Sequence, residues 1–477
     1  MPPIGNDMSG TSWDHPSMND QGTDIAPGVS THSVGIAGAE RLSLAVIWAY
    51  SIPRIGFGIL GILFATYLMK FATDVLLIAP AVMGTLLAAS RLWDGASDPL
   101  IGYLSDRTRS RFGRRRVWLF WAAIPTGLGM VMMWSPPNTL DATWLVIWMG
   151  AGLLLYETAS TGFNIPHGAL GVELTPNYHE RTRLYGYSHM IGAIGTILGL
   201  GALHLMNIAE DKRQFAFELS LVVGALVALL ILGSTRMLPE RLDYQGRGGQ
   251  HAVKSFLDVF RNPHARLLLI VFGVETFGAA SIGLMVPYIV EYVIPMRDLM
   301  VPLLLVYIVP QFVLTPLWIV LARRYGKKNL WLLGMLGSAG AFFGLFWLEG
   351  TGPLIWIYAF GAGLAAGIGA VVAPAIQADI IDYDEYTTHE RKEGAYLAVW
   401  NLVRKSAASV TALVMGISLQ LAGFEPNVEQ TEAAKLTMRA LFGLLPAACY
   451  VIGAILFLRF RFNEAEHAEI RRAIADR

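Results

Sequence analysis

Arg91, Asp94 and Asp98 fall at i, i+3 and i+7 within Arg91-Leu-Trp-Asp94-Gly-Ala-Ser97-Asp98-Pro99, a segment embedded in a long apolar run. On a helix this spacing puts all three on one face. A charge at bilayer depth costs about 2.5–3.5 kcal/mol on insertion scales, so such a stripe must face a cavity or partners. Two close carboxylates supply hard oxygen ligands for Na⁺, or a site that takes up H⁺ because two like charges resist sharing it. A purely structural ion pair of Arg91 with Asp94 would leave Asp98 without a role, which favours the cation site.

A membrane is what would make the stripe costly, and the composition calls for one. Hydrophobic residues make up 54% of the 477 positions and charged residues 15%, against roughly 25% charged in soluble domains. The mean hydropathy is +0.48. About 20 mostly apolar helical residues cross a hydrocarbon core of ~30 Å. Twelve such runs are predicted, near 43–70, 76–104, 117–135, 142–170, 184–206, 215–235, 265–293, 299–322, 329–348, 353–376, 395–421 and 436–458.

Further polar groups fall inside these runs: Arg54, Glu157, Asn164, His189, Glu275, Arg404 and Lys405. Lys405 lies too deep to snorkel easily and is placed to neutralise the carboxylates of the second run. Arg404 points about 100° away round the helix and is expected to serve packing between the halves or an interface. Glu157 and Glu275 either pair with Arg54 or carry protons, and the residues alone leave both open. His189 reads as a hydrogen-bonded structural group or a substrate contact.

The connections divide by charge. Arg107, Arg109, Arg111, Arg114, Arg115 and Arg116 crowd one loop, and basic residues recur in 236–266, at 323–328 and in the C-terminal tail, while alternate loops hold few. The positive-inside rule then puts both termini and the central linker in the cytoplasm of an inner-membrane protein. The division expected is a disordered tail over 1–40, which has no Lys or Arg, six helices over 41–236, a linker over 237–264, six helices over 265–459 and a tail over 460–477. The formal net charge of zero gives no support to a nucleic-acid partner. Cys449 alone can form no intramolecular disulfide or metal cluster. No HExxH or Gly-x-Ser-x-Gly signature occurs, and Gly249–Ser255 lacks the second glycine of a phosphate loop, so neither an enzyme nor a cofactor is expected.

The halves echo each other. Arg111-Phe-Gly-Arg-Arg-Arg-Val-Trp-Leu119 recurs 213 residues on as Arg324-Tyr-Gly-Lys-Lys-Asn-Leu-Trp-Leu332, and His179-Glu-Arg181 recurs 210 residues on as His389-Glu-Arg391. Parallel six-helix repeats of this kind suggest an all-α membrane protein of the major facilitator fold, with a central site between the halves.

The stretch Arg91–Trp118, with Trp93-Asp94, Asp98-Pro99, Gly102, Asp106-Arg107-Thr108-Arg109 and Gly113-Arg114, resembles the glycoside–pentoside–hexuronide:cation symporters, the melibiose-carrier-like branch of the major facilitators. Asn164-Ile-Pro166, Arg181–Leu184 and Asp379–Lys405 resemble it too. The resemblance implies that Asp94 and Asp98 bind the coupling cation, with Ser97 and Thr161 as neighbouring ligands, and that Lys405 is tied to that site. Galactoside-carrying members have acidic residues where this chain has Gly58 and Asn164, and an arginine where it has Ser188-His189. A midplane cavity is expected to gather Gly58, Asn164, His189, Trp400 and Lys405, and its loss of negative charge favours a neutral or anionic sugar derivative. The partners expected are that solute, Na⁺ or H⁺ and the bilayer, with the chain acting as a monomer. A lipid carrier or a non-transporting sensor of the same fold is the alternative.

Overall fold

The computed structural model describes residues 41–175, 177–240, 259–294, 297–348, 350, 352–389, 393–461 and 464–475. The expected tail over 1–40 and the linker centre at Gly246–Gly249 lie outside them. The compact unit Leu42–Arg477 holds every helix among the described residues, while the other unit is Met1–Arg41.

Among the described residues, twelve long helical segments follow one another: α1 (Leu44–Asp74), α2 (Pro80–Arg107), α3 (Arg116–Trp134), α4 (Ala142–Glu173), α5 (Tyr178–Ile208), α6 (Lys212–Met237), α7 (Pro263–Val293), the broken segment α8 (Met300–Val313 with Thr315–Tyr325), α9 (Lys327–Phe346), α10 (Leu354–Thr388), α11 (Glu393–Leu421) and α12 (Glu432–Leu458). Ten are long and apolar enough to cross a membrane, and α8 makes eleven if its 53° bend is taken within one span. The remaining helix, α2, has 28 residues but carries Arg91, Asp94 and Asp98, so its charges and not its length set it apart. A terminal helix α13 (Glu464–Ala475) meets the end of α10, where His467 Nε2 lies 3.0 Å from Asp382 Oδ2.

Local chemistry accounts for the ends. Ser43 caps α1 through Val46 N–H, Asp141 caps α4 through Trp144 N–H, and Pro80 opens α2 where no amide donor is needed. The largest boundary difference is at α10, which runs twelve residues beyond the expected 376 to Thr388. Its apolar pattern stops at Asp379, but helical hydrogen bonding does not need apolar residues once the chain has left the lipid.

The echoed loops share their geometry. Gly113 (φ +103°) and Gly326 (φ +81°) both take a backbone region that glycine enters readily. Each precedes a basic residue that reaches a carboxylate on a long helix: Arg114 meets Glu173 at the end of α4, and Lys327 meets Asp379 nine residues before the end of α10, both at 2.6 Å.

The halves meet at α5 and α8, where His189 faces Phe312 at 6.1 Å, and most closely along two further helix pairs. Between α2 and α11 the backbones nearly touch: a Cβ on Gly84 would lie 2.5 Å from Ala412 O, and one on Gly416 2.2 Å from Pro80 O. Ser409 Oγ donates to Ala88 O at 3.2 Å and Ala81 N–H to Gln420 Oε1 at 3.2 Å. Between α1 and α7 the contact is polar and buried. Lys70 touches Asp74 and lies 2.7 Å from Glu291; Tyr292 Oη donates to Asp74 at 2.6 Å, and Thr73 Oγ1 meets Tyr288 Oη at 2.8 Å. Lys70 closes the first predicted run, 43–70, where a charge reads as the start of a sparse loop. It instead sits on α1 at 1% exposure, because partners from the other half let the helix carry a charge. These junctions lie at the end of the bundle away from the arginine-rich loop.

Candidate functional site

Asp94 is buried on α2 and is met from two helices. Thr161 Oγ1 on α4 donates to Asp94 Oδ1 at 2.6 Å, and Lys405 Nζ on α11 lies 2.8 Å from Asp94 Oδ2. The same ammonium contacts Asp98 Oδ2. One lysine of the C-terminal half thus bridges two carboxylates of the N-terminal half. Ser97 Oγ turns back to donate to Asp94 O at 3.1 Å, so its hydroxyl serves the helix backbone.

Arg91 does not form the ion pair with Asp94 weighed from spacing. Its guanidinium lies 3.4 Å from Glu157 on α4 and 4.5 Å over the Phe64 ring. Arg54 pairs with neither Glu157 nor Glu275. The latter lines a separate cavity of about 380 Å³ within the C-terminal half, beside Trp331, Gln311 and Gln377.

The bridged carboxylates open onto a cavity of about 390 Å³ lined by residues of α1, α2, α4 and α11, among them Arg54, Arg91, Glu157, Asn164, Asn401, Arg404 and Lys405. Asn164 Nδ2 donates to Ser160 O at 2.9 Å and to Ser160 Oγ at 3.1 Å, which holds the amide against the wall. Arg404, expected to serve packing between the halves or an interface, lines this space and donates to Asn401 Oδ1 at 3.1 Å. The helix explains this: Asn401, Arg404 and Lys405 are i, i+3 and i+4, so the two basic residues flank the centre of one face.

The expected gathering of solute contacts divides. Gly58 and His189 line a neighbouring cavity of about 420 Å³ with Phe57, Tyr185 and Phe312, and Arg54 borders both spaces. At Gly58 the backbones of α1 and α5 cross so closely that a Cβ would lie 2.6 Å from Gly192 O. No acidic side chain fits there without moving α5. Trp400 is 4% exposed, stacks on Tyr396 at 6.1 Å and is absent from the lining. It lies about 100° round the helix from Asn401, which turns it into the bundle.

The family model described as MFS/sugar transport protein matches residues 49–464. The chain is 27% identical to the uncharacterized symporter sll1374 of Synechocystis sp., over 92% of this chain and 98% of that one. It is 27% identical to the putative sulfoquinovose importer of Salmonella typhimurium, over 92% and 94%. The inward-open xylose transporter XylE of E. coli superposes with a TM-score of 0.63 at 14% identity, covering 90% of this chain and 99% of that structure, and so shares the fold.

Proposed function

This chain belongs to the MFS/sugar transport protein family, and from that premise we propose that it couples entry of a monovalent cation to symport of a sugar derivative by alternating access. It is a multi-span membrane transporter and not an enzyme. The finer reading, cation coupling through Asp94 and Asp98, is carried by one observation: Lys405 bridges both carboxylates across the junction of the halves. Two carboxylates and one ammonium leave a formal charge of −1, which Na⁺ or H⁺ would complete. A cation entering there competes with Lys405 for the same oxygens. It therefore loosens a contact between α2 and α11 and changes the balance between the two orientations of the halves. Thr161 is placed to stay on Asp94 throughout, whereas Ser97 has no oxygen turned to the site.

The solute occupies the adjoining cavity, where Asn164 and Asn401 offer amides to hydroxyl groups. Relatives named for sugar derivatives, the putative sulfoquinovose importer among them, support a sugar derivative over an amphiphile. Purified protein in liposomes should accumulate a labelled glycoside or uronide only under an inward Na⁺ or H⁺ gradient. Equal uptake with and without either gradient would refute coupling, and transfer of lysolipid without sugar uptake would favour the lipid carrier.

Orientation is proposed from the loop charges: both termini and the linker are cytoplasmic in the inner membrane. A cysteine introduced at Gly248 should resist an impermeant maleimide in intact cells and react after permeabilisation. Labelling in intact cells would invert the topology. Cys449, buried on α12, adds little background.

A further inference from the structure

The charges around the central cavity do not cancel. Arg54, Arg91, Arg404 and Lys405 face three carboxylates, Asp94, Asp98 and Glu157. Lys405 is taken by Asp94 and Asp98, and Arg91 by Glu157. Arg54 and Arg404 are left over. Neither forms an ion pair among the described residues, and Arg404 donates only to the neutral Asn401 amide on its own helix. Both lie well inside α1 and α11, at membrane depth, where an uncompensated cation is expensive. A guanidinium cannot relieve that cost by releasing its proton. Water filling the cavity would solvate both groups, but it would confer no preference for the charge of a ligand.

We propose that Arg54 and Arg404 bind an acid group on the solute, a carboxylate or sulfonate carried by a ring of sugar size. This rests on the solute-transport reading above and narrows it to singly charged acids. Before the coupling cation enters, the excess of one positive charge matches one such group, and the cation raises that excess to two. The planar guanidinium fork suits its paired oxygens. The cavity of about 390 Å³ leaves room for the ring beside Asn164 and Asn401. The two arginines sit on α1 and α11, so an acid held by either draws the solute to one half, and one reached by both would bridge the halves beside the cation site.

The test uses the full-length purified chain and matched ligand pairs that differ only in charge: methyl β-D-glucuronide against methyl β-D-glucoside, methyl β-D-galacturonide against methyl β-D-galactoside, and the 6-sulfonate of methyl α-D-glucoside against its parent. Calorimetric affinity should favour the acid by about 10- to 100-fold in at least one pair, the size of a charge-assisted hydrogen bond. Arg54→Gln and Arg404→Gln should each remove most of that ratio by weakening the acid while leaving the neutral partner unchanged. Arg404→Lys, which keeps charge without the fork, should retain part. Neutral ligands binding as tightly as acids in every pair would overturn the assignment, as would a ratio that survives both Gln variants. If a variant fails to fold, the wild-type ratio still decides whether an acid is preferred. Failure of every ligand to bind would overturn the solute reading itself.

Discussion

Asp94→Asn and Asp98→Asn are each expected to abolish gradient-driven accumulation while leaving the protein folded. Asparagine keeps the volume of the side chain and removes its charge. With Lys405 still in place, the site then goes from a formal −1 to zero and no longer draws a cation. Asp94 also accepts from Thr161 at 2.6 Å, an interaction an amide oxygen can keep, so local packing should survive. Losing a charged partner of this kind costs about 1.5–3 kcal/mol, or a 10- to 150-fold fall in cation affinity. The steady-state solute ratio should drop towards one, because coupling needs the cation at every cycle. Ser97→Ala is the internal control. Its hydroxyl bonds to the Asp94 backbone, so cation affinity should change by less than about threefold, a few tenths of a kcal/mol. Uptake in liposomes and isothermal titration with Na⁺, repeated at two pH values, read both effects. Normal accumulation by both Asn variants would move the cation site elsewhere, with Glu157 and Glu275 as the remaining intramembrane acids.

Lys70→Met should have the largest structural effect of any single substitution considered. Lys70 is buried between Asp74 and Glu291, and its ammonium lies 4.4 Å from the Tyr292 ring centroid. Methionine preserves the apolar stem but leaves two carboxylates without their central cation. Breaking a buried pair from one side costs about 3–5 kcal/mol. Asp74 keeps Tyr292 and Thr73 as donors, so Glu291 bears most of the loss. Lys212 lies 3.9 Å from Glu291 and compensates only in part. Because α1 and α7 belong to different halves, the cost falls on the conformation in which this end is closed. The variant should show a lower melting temperature and faster alkylation of a Leu76→Cys probe, a buried position outside the network. Adding Glu291→Gln should restore part of both, since it removes the stranded charge. Unchanged melting and alkylation in Lys70→Met would show that the network does not hold the halves together.

The legible parts of the molecule were those written in short-range periodicity. The stripe Arg91, Asp94 and Asp98 needs only helical spacing to be seen, and apolar run length located the spans to within a few residues except at α10. The echoed Arg111–Leu119 and Arg324–Leu332 segments showed a six-helix repeat for the same reason, because a loop's charges and glycine are contiguous. The site's partners were less legible. Lys405 reads as a neutraliser on the strength of its depth in the span, whereas Arg404, its neighbour, reads as packing between the halves or at an interface, and its place in the cavity lining is not legible. A helical wheel gives the angle between two residues without giving the direction of the cavity. Arg91 was weighed against Asp94 on its own helix, whereas its carboxylate is Glu157 on α4. The Lys70 cluster was missed because the lysine sits at the end of an apolar run, where an isolated charge reads as the start of a loop. Glu291 at the end of α7 was the signal that could have suggested a partner.

Span lengths, the intramembrane charges and the two similar halves are properties of the chain alone, since the bilayer imposes length and polarity limits on each helix separately. Which charges meet was decided by how the helices cross. The Lys405 contacts bring together residues more than 300 positions apart in the chain, and they exist because Gly84 and Gly416 let α2 and α11 approach backbone to backbone. The same crossings closed the space at Gly58, turned Trp400 inward and left Arg54 and Arg404 facing the cavity without carboxylates. Helix-helix distance is a sum over many small packing contacts along two surfaces, and no local pattern in either helix contains it.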